Sequence, residues 1–487
     1  MVHRWRTLVI SLFCILSLLG QALPAQAATD PRAIHILRRL SFGPRPGDLE
    51  RVQSIGVEGY IKEQLAPQKL KQPPQLQQQL RQFETLKLSP MQVSQAYRSQ
   101  PKKGQSEAER KADQKRRNQP LSEARQARIV RAIASSSQLE EVMVNFWFNH
   151  FNVSSDKGNV KYWIGDYEQS AIRPHALGSF RELLGATAQH PAMLFYLDNW
   201  LNTAPNSPGA RGQFKGLNEN YARELLELHT LGVDGGYTQA DVVATAETLT
   251  GWGIPRPPQA AQYPAGFYFD AKRHDNRPKT VLGSKITGQG QAAGEQVLDL
   301  LAQHPATAQH ISYELAQYFV ADQPPPALVK RLAQRYLKTN GDIRAVLDTL
   351  FHSPEFWDEK YVGTKFKTPY EYVISTLRAQ GSDANIDTNR VLGMLNQLGM
   401  PLFRCRTPDG YANTQAEWLN PEAITRRVSL ATTLARGGGR QAVAADPDPV
   451  MQAVGPQISS QTQSLIATSP KNLKAALILG SPDFMYR

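Results

Sequence analysis

The densest group of side chains that could do chemistry lies in residues 218–232, which read Asn-Glu-Asn-Tyr-Ala-Arg-Glu-Leu-Leu-Glu-Leu-His-Thr-Leu-Gly. On a helix, the apolar residues of this segment form one stripe, and Asn220, Glu224 and Glu227 lie along the border of that stripe. A carboxylate beside a buried stripe is costly unless it is paired, hydrogen-bonded or bound to a cation. Because Arg223 alone cannot serve every glutamate here, we expect further partners from other parts of the fold.

Two other segments place histidines among polar residues. His150 lies in the aromatic and amide-rich stretch 145–152, and His274 precedes Asp275 directly after an aromatic run. Neighbouring side chains diverge, so the His274–Asp275 pair cannot form a Ser-His-Asp relay by itself. It can supply one metal ligand and one hydrogen-bond acceptor behind that ligand.

These side chains first suggest acid–base catalysis. In such an enzyme a glutamate acts as general base, a histidine is its acid partner, and an arginine holds the charge of the substrate. The candidates for the three roles are Glu224 or Glu227, His150 or His274, and Arg223.

Two further interpretations stay open. A bound metal would take ligands from separate elements, with Glu224, Glu227, His150, His229 and His274 as the candidates. Its identity is not predicted, because no H-E-x-x-H, E-x-x-H or C-x-x-C motif occurs, and no other cofactor is predicted. The third interpretation is a buried ion-pair network, whose candidate pairs join Arg173 and Arg223 to Glu168, Glu219 and Glu224.

Helical periodicity dominates the elements that must position these residues. We predict an all-α fold, a large multi-helical globular domain with a minor β-hairpin formed by 266–270 and 280–282. The predicted organisation is a signal peptide (1–27), a helical domain (28–435) that contains a polar, mobile and weakly helical insertion (68–119), a low-complexity connector (436–469), and a C-terminal helix and anchor (470–487).

The N-terminus predicts export. Arg4 and Arg6 precede a short apolar core, and Ala25-Gln26-Ala27 offers a small-x-small cleavage site. We therefore expect a periplasmic or extracellular protein with no transmembrane span in the mature chain. Cys14 leaves with the signal peptide, so Cys405 is the one cysteine of the mature chain and no internal disulfide is expected.

The chain is basic, with a formal charge of +12. Much of the excess lies in residues 102–131, which contain ten lysines and arginines but no aromatic residue between Tyr97 and Phe146. Nucleic-acid surfaces interleave aromatic side chains with their bases, so no nucleic-acid partner is expected. The segment is a solvated surface or, alternatively, a contact for an acidic polymer.

Several motifs resemble the bacterial domain of unknown function 1800 family. They are Leu37-Arg38-Arg39-Leu40-Ser41-Phe42-Gly43-Pro44, Phe146-Trp147-Phe148-Asn149-His150-Phe151, residues 172–178, the 218–232 segment, the Phe403…Pro408…Gly410…Trp418 spacing and the final Ser481-Pro482-Asp483-Phe484. The polar 68–119 segment and Cys405 depart from the family pattern, and the position of His229 is often aromatic in the family. The family's motif positions correspond here to His150, Arg173, Asn218, Glu219, Asn220, Arg223, Glu224, Glu227, His274 and Asp275.

The resemblance implies an exported protein without an assigned activity. Members are often encoded beside the domain of unknown function 1501 family, which resembles sulfatases and alkaline phosphatases. The expectation is therefore an envelope or extracellular assembly or binding partner, with such a protein as its companion. The alternative is an exported hydrolase or lyase that acts on an envelope or extracellular polymer through the Glu, His and Arg residues named above.

Overall fold

The computed structural model describes residues 30–98, 104–436, 445–455 and 458–487. Within these residues the chain forms twenty-five α-helices, which are separated by Pro, Gly and Ser-Pro stops. The predicted signal peptide, 1–27, lies outside the described residues. The first twelve helices are α1 (Pro31–Leu40), α2 (Asp48–Ile55), α3 (Val57–Gln64), α4 (Pro74–Arg81), α5 (Pro90–Tyr97), α6 (Glu107–Ala134), α7 (Gln138–His150), α8 (Val160–Asp166), α9 (Phe180–Gln189), α10 (Pro191–Tyr196), α11 (Asn220–Glu227) and α12 (Gln239–Thr248).

The remaining helices follow a short region of β structure. They are α13 (Gln291–Ala302), α14 (Pro305–Phe319), α15 (Pro326–Lys338), α16 (Ile343–Phe351), α17 (Pro354–Trp357), α18 (Pro369–Ala379), α19 (Thr388–Gln397), α20 (Gln415–Trp418), α21 (Pro421–Ala435), α22 (Pro447–Val454), α23 (Ser460–Thr468), α24 (Lys471–Leu479) and α25 (Pro482–Met485). Among the described residues, none of these helices is both long and apolar enough to cross a membrane. The prediction of an all-α fold with a minor β element is confirmed.

The β structure consists of two antiparallel pairs, and the predicted hairpin between 266–270 and 280–282 is wrong. Strand β1 (Trp252–Gly253) pairs with β2 (Tyr268–Phe269), and β3 (Lys279–Val281) pairs with β4 (Ser284–Ile286). Strands β3 and β4 are joined by Leu282 and Gly283, which have φ angles of 50° and 74°. Two residues in the left-handed conformation form the tight turn of a two-residue hairpin. Strand β3 therefore pairs with β4, the strand nearest to it in sequence.

The polar segment 68–119 is more helical than its composition indicates. It contains α4, α5 and the first part of α6, and Ser89 and Ser106 begin α5 and α6 with reciprocal capping boxes. The indole of Trp163 in α8 donates to Ser94 in α5 at 2.7 Å, which holds the segment against the core. Within the predicted connector, 436–469, α22 and α23 are helical as well, whereas 437–444 and 456–457 lie outside the described residues.

Helix α7 is mostly buried and positions the candidate site. Trp147 and Phe151, at its C-terminal end, are fully buried, and the Trp147 indole donates to the Ala176 carbonyl at 3.0 Å. After α8 the chain widens into a π-helix, Tyr167–Ile172, whose Tyr167 hydroxyl donates to the Phe151 carbonyl at 2.8 Å. The rigid aromatic packing fixes the direction in which Asn149 and His150 project.

Candidate functional site

A pocket of about 200 Å³ opens beside the C-terminal end of α7. Four of its lining residues are amides, which gives it both hydrogen-bond donors and acceptors, and we call it the amide pocket. Its lining comprises Asn145, Phe146, Asn149, His150, Glu314, Gln317, Tyr318, Thr368, Met400, Asp409, Tyr411, Ala412 and Asn413. Helices α7 and α14 and the loop 400–413 therefore contribute most of its wall.

Two asparagines of α7 and its exit hold the 400–413 loop in place. The Asn149 amide donates to the Tyr411 carbonyl at 2.8 Å and accepts from the Tyr411 N–H at 2.8 Å. The Asn152 amide donates to the Thr407 carbonyl at 2.7 Å. Between these contacts Gly410 has a φ of 72°, and a Cβ there would lie 2.4 Å from the Asn149 carbonyl oxygen. Only glycine permits this close approach of loop and helix.

His150 and Glu314 face each other at the pocket wall. The His150 Nδ1 lies 2.7 Å from the Glu314 Oε2, and its Nε2 lies 3.2 Å from the His229 carbonyl oxygen. Both ring nitrogens therefore face oxygen atoms. Burial raises the pKa of Glu314, but the charge and hydrogen bond of His150, with His310 behind, outweigh it and lower that pKa below its ordinary value. Glu314 is therefore an ionised acceptor at neutral pH.

Two more histidines surround this pair. The rings of His229 and His310 each lie 6.2 Å from that of His150. His229 is 1% exposed, and neither of its nitrogens has a hydrogen-bond partner among the described residues. Burial, reinforced by His150 and His310, holds the pKa of His229 well below its usual range, so its ring is neutral. Within the described ranges, no three His, Cys, Asp or Glu side chains have the geometry of a metal site.

The predicted glutamates of α11 lie outside the pocket lining. Burial raises the pKa of Glu224, as do the neighbouring carboxylates of Glu227 and Asp409, against the charge of Arg223. Glu227 accepts a hydrogen bond from the Tyr237 hydroxyl at 3.3 Å. Asp409 lines the amide pocket, so Glu224 lies near its edge rather than in it.

The rest of the 218–232 cluster stabilises the start of α11. Asn218 accepts from the Asn220 N–H at 3.0 Å, which satisfies a free donor of the first helical turn. Arg223 pairs with Glu219 at 3.1 Å, and both side chains bond to Gln239. These contacts are solvent-exposed and structural.

Arg173 belongs to a buried ion-pair network. Its guanidinium binds both oxygens of Glu141, at 2.8 and 2.9 Å, and reaches Glu168 at 3.3 Å. Glu168, in the π-helix, also pairs with Arg128, which donates to Asn145 at 2.9 Å. The expected pair of Arg173 with Glu168 is present, and Arg128 and Glu141 were missed. Through Asn145 this network supports the wall of the amide pocket.

His274 and Asp275 form a separate cluster. The His274 Nδ1 lies 2.9 Å from the Thr250 carbonyl oxygen, and Asp275 pairs with Arg277 at 2.5 Å and Lys279 at 3.4 Å. Although burial raises the pKa of Asp275, hydrogen bonds from Arg277 and the charge of Lys279 lower it to about 2. No contact joins this cluster to His150 or Glu224 among the described residues, so the predicted catalytic group is divided.

Sequence reasoning placed His150 at the site but missed its partners. Glu314 follows His310 at a spacing of four residues, which puts both on one face of α14. Asp409 directly precedes Gly410, inside a motif already singled out. These two signals were available, whereas nothing local connects Gln317 or Asn413 to α7.

A comparison with family models gives one match, described as "Protein of unknown function (DUF1800)", which spans residues 35–486. No curated protein and no solved structure matches the chain at a significant level.

Proposed function

The chain belongs to the DUF1800 family, and because the family's description assigns no activity, we propose from the amide pocket that it is an exported protein that binds a small hydroxyl-rich ligand. The ligand class is a sugar unit of an envelope or extracellular polymer. The observation that carries the proposal is one pocket of about 200 Å³ that combines two carboxylates, four amides and aromatic rings. Each sugar hydroxyl both donates and accepts, which matches carboxylates and amides side by side.

The free polar groups of the pocket support this ligand class. The side chains of Asp409 and Asn413 have no hydrogen-bond partner among the described residues, whereas Asn149 and Tyr411 are committed to each other. Phe146 adds a flat apolar surface for the C–H face of a sugar ring. A polyol would therefore gain hydrogen bonds without breaking those that shape the pocket.

Calorimetric titration of the mature protein with a panel of glucose, galactose and N-acetylglucosamine oligosaccharides tests the proposal. We expect one or more to bind, and Asp409→Asn to weaken that binding about 10- to 100-fold, because a hydrogen bond to a charged group contributes about 1.5–3 kcal/mol. Asp383→Asn removes an exposed carboxylate that does not line the pocket and is the matched control. Failure of the whole panel to bind, or equal affinities for all three proteins, would overturn the proposal.

A hydrolase or lyase acting on the same polymer is the second candidate. Glu314 and Asp409 line one pocket, and paired carboxylates are the catalytic groups of most glycoside hydrolases. Glu224, whose pKa is raised, adds a carboxyl group near the edge that retains its proton to higher pH. Release of reducing ends from the bound oligosaccharide, lost in Asp409→Asn, would favour the enzyme. Binding without release would favour the binding protein.

Export and partners complete the proposal. N-terminal sequencing of the protein recovered from the periplasm or the medium should begin at Ala28, directly after the predicted cleavage site. The proposed companion is an exported protein of the domain of unknown function 1501 family. Co-expression followed by size-exclusion chromatography tests this companion, since a stable complex elutes as one species.

An acidic polymer is the proposed partner of residues 102–131. Some of the basic side chains in this segment contact other residues of the chain instead. Arg128 pairs with Glu168, Arg125 donates to the Leu402 carbonyl, and Arg116 donates to the Ala96 carbonyl. Arg110 and Lys115 are exposed and available for contact. Binding to heparin-like polymer should weaken steeply with salt if this surface is used.

A further inference from the structure

A second, smaller space lies among the motifs that the amide pocket does not use. The Arg38-Arg39 motif of α1, the Lys365–Lys367 segment before α18 and the C-terminal Ser481–Phe484 motif converge there. The space measures about 10 Å³ and its polar lining includes Arg38, Ser41, Lys367, Glu371, Ser375 and Arg487. We call it the cationic chamber.

Cationic side chains outnumber carboxylate side chains in the lining of the cationic chamber. Arg38, Lys367 and Arg487 line it, and Glu371 is the carboxylate side chain of the lining. Arg427 lies behind Lys367 and donates to its carbonyl at 2.7 Å. Arginines keep their protons in proteins. The two guanidiniums of the lining therefore outnumber its side-chain carboxylate.

Glu371, the carboxylate that lines the chamber, already accepts from three groups of the protein. Glu371 accepts from the Thr368 N–H at 2.8 Å and from the Tyr318 hydroxyl at 3.0 Å, and it pairs with Arg487 at 3.0 Å. Lys367 donates to Ser375 at 2.8 Å and to the Phe484 carbonyl at 2.7 Å, which leaves it one N–H. The chamber therefore retains donors but no free side-chain acceptor of matching charge.

Two buried N–H groups here have no partner. Among the described residues these are the Nε atoms of Arg38 and Arg487. Arg38 and Arg487 are 8% and 4% exposed and both line the chamber. A buried unpaired donor costs about 1–3 kcal/mol, and more when it is charged. The two donors of the lining therefore favour a bound acceptor.

Aromatic rings compensate part of this charge. Arg487 lies over Tyr318 at 4.3 Å, Arg427 over Phe366 at 4.3 Å, and the Lys367 ammonium over Phe484 at 3.9 Å. A desolvated cation–π contact is worth about 2 kcal/mol, less than the several kcal/mol needed to bury each ion. Burial and the neighbouring Arg38 also lower the pKa of Lys367 well below its usual range, which agrees with an excess of positive charge.

We propose that the cationic chamber binds one small inorganic anion of chloride size, held by Arg38, Lys367 and Arg487. A space of about 10 Å³ is close to the smallest that holds one water-sized particle, which favours a monatomic anion over a larger oxyanion. A chloride ion accepts from several donors at once and supplies the missing negative charge, whereas a water molecule supplies none. This site is independent of the amide pocket and of the function proposed for it.

Crystals of the unaltered protein grown with sodium bromide in place of chloride provide the direct test. Data collected at the bromine edge should show an anomalous peak among Arg38, Lys367 and Arg487. Density for water without an anomalous peak, or an empty chamber, would overturn the proposal. This measurement needs no variant, so it stands whatever the variants below do.

Urea unfolding at constant ionic strength, with sodium gluconate replaced stepwise by chloride, tests the same site in solution. A native-state anion site divides the unfolding equilibrium constant by one plus the ratio of the chloride concentration to Kd, which is about tenfold when chloride reaches about ten times its Kd, and the stabilisation keeps growing logarithmically with chloride. Lys367→Met should lose this chloride dependence, whereas Lys360→Met, which removes an exposed ammonium outside the chamber, should keep it. An equal chloride response in all three proteins would show binding elsewhere and contradict the assignment.

Discussion

Replacing Gly410 with alanine should disturb the amide pocket through one contact. Gly410 has a φ of 72°, and an added Cβ would lie 2.4 Å from the Asn149 carbonyl oxygen and 2.7 Å from its Oδ1. A left-handed conformation costs a non-glycine residue about 1–2 kcal/mol. Forcing an additional carbon into a packed site costs about 1–3 kcal/mol more. We therefore expect Gly410→Ala to lower the free energy of unfolding by about 2–5 kcal/mol.

Gly399 offers the matched control in the same part of the chain. Its φ is 82°, but a Cβ there meets no heavy atom within 4 Å. Gly399→Ala should therefore cost only the conformational part, about 1–2 kcal/mol. The difference between the two variants measures the contact between the 400–413 loop and α7.

Urea unfolding followed by circular dichroism gives both values, provided that the m-value stays constant. Limited trypsin digestion reports the loop itself, because Arg404 and Arg406 are exposed. Gly410→Ala should accelerate cleavage after these arginines, and Gly399→Ala should not. Equal losses of stability in the two variants would refute the argument that Gly410 is required by its approach to Asn149.

Three further variants or reactions test the buried charges. Glu168→Gln should lower the free energy of unfolding by about 3–5 kcal/mol, because Arg128 and Arg173 lose a buried counter-charge. Asp275 has a pKa of about 2 against an ordinary 3.8, so its ionised form contributes about 2 kcal/mol. That contribution is complete above about pH 5 and is lost as the pH falls through 2, so Asp275→Asn should flatten the acid limb of a stability–pH curve. Burial raises the pKa of Cys405, so iodoacetamide should alkylate the folded protein more slowly than the urea-unfolded chain at pH 8.

Each of these has a control and a contrary outcome. Glu219→Gln removes a carboxylate from an exposed pair and should change stability by less than about 1 kcal/mol. A Glu168→Gln effect no larger than that would show that the network is solvated. An unchanged acid limb in Asp275→Asn would show that its ion pairs do not persist in solution. Equal alkylation rates for folded and unfolded chains would place Cys405 at an accessible surface.

Local signals in the sequence were sufficient for the helices and their ends. Thr238 and Asp241 form a capping box at the start of α12, with reciprocal side-chain to backbone contacts. The Ser-Pro pairs at 353 and 481 end one helix and cap the next, since each serine accepts from the N–H three residues later. Such contacts join residues of one turn, so residue type and spacing determine them.

The strand pairing and the polar insertion mark where local reasoning failed. The composition of 68–119 predicts weak helicity, but contacts such as Trp163 with Ser94 stabilise its helices from outside the segment. The strand predicted at 280–282 lies at 279–281, and its partner was decided by the turn at Leu282 and Gly283. Intrinsic propensity indicates which secondary structure a segment favours, whereas tertiary packing determines which other segment it pairs with.

Residue types and their spacing were enough to predict the family, the all-α architecture and the position of His150 among polar residues. The contact of His150 with Glu314, and not with Glu224 or His274, emerges from three-dimensional packing. The same is true of Asn149, which binds Tyr411 262 residues further along the chain. A helical repeat fixes which residues share a face, but it contains no information about which distant segment covers that face. The amide pocket and the cationic chamber both arise from such distant segments, so neither could be assembled from spacing alone.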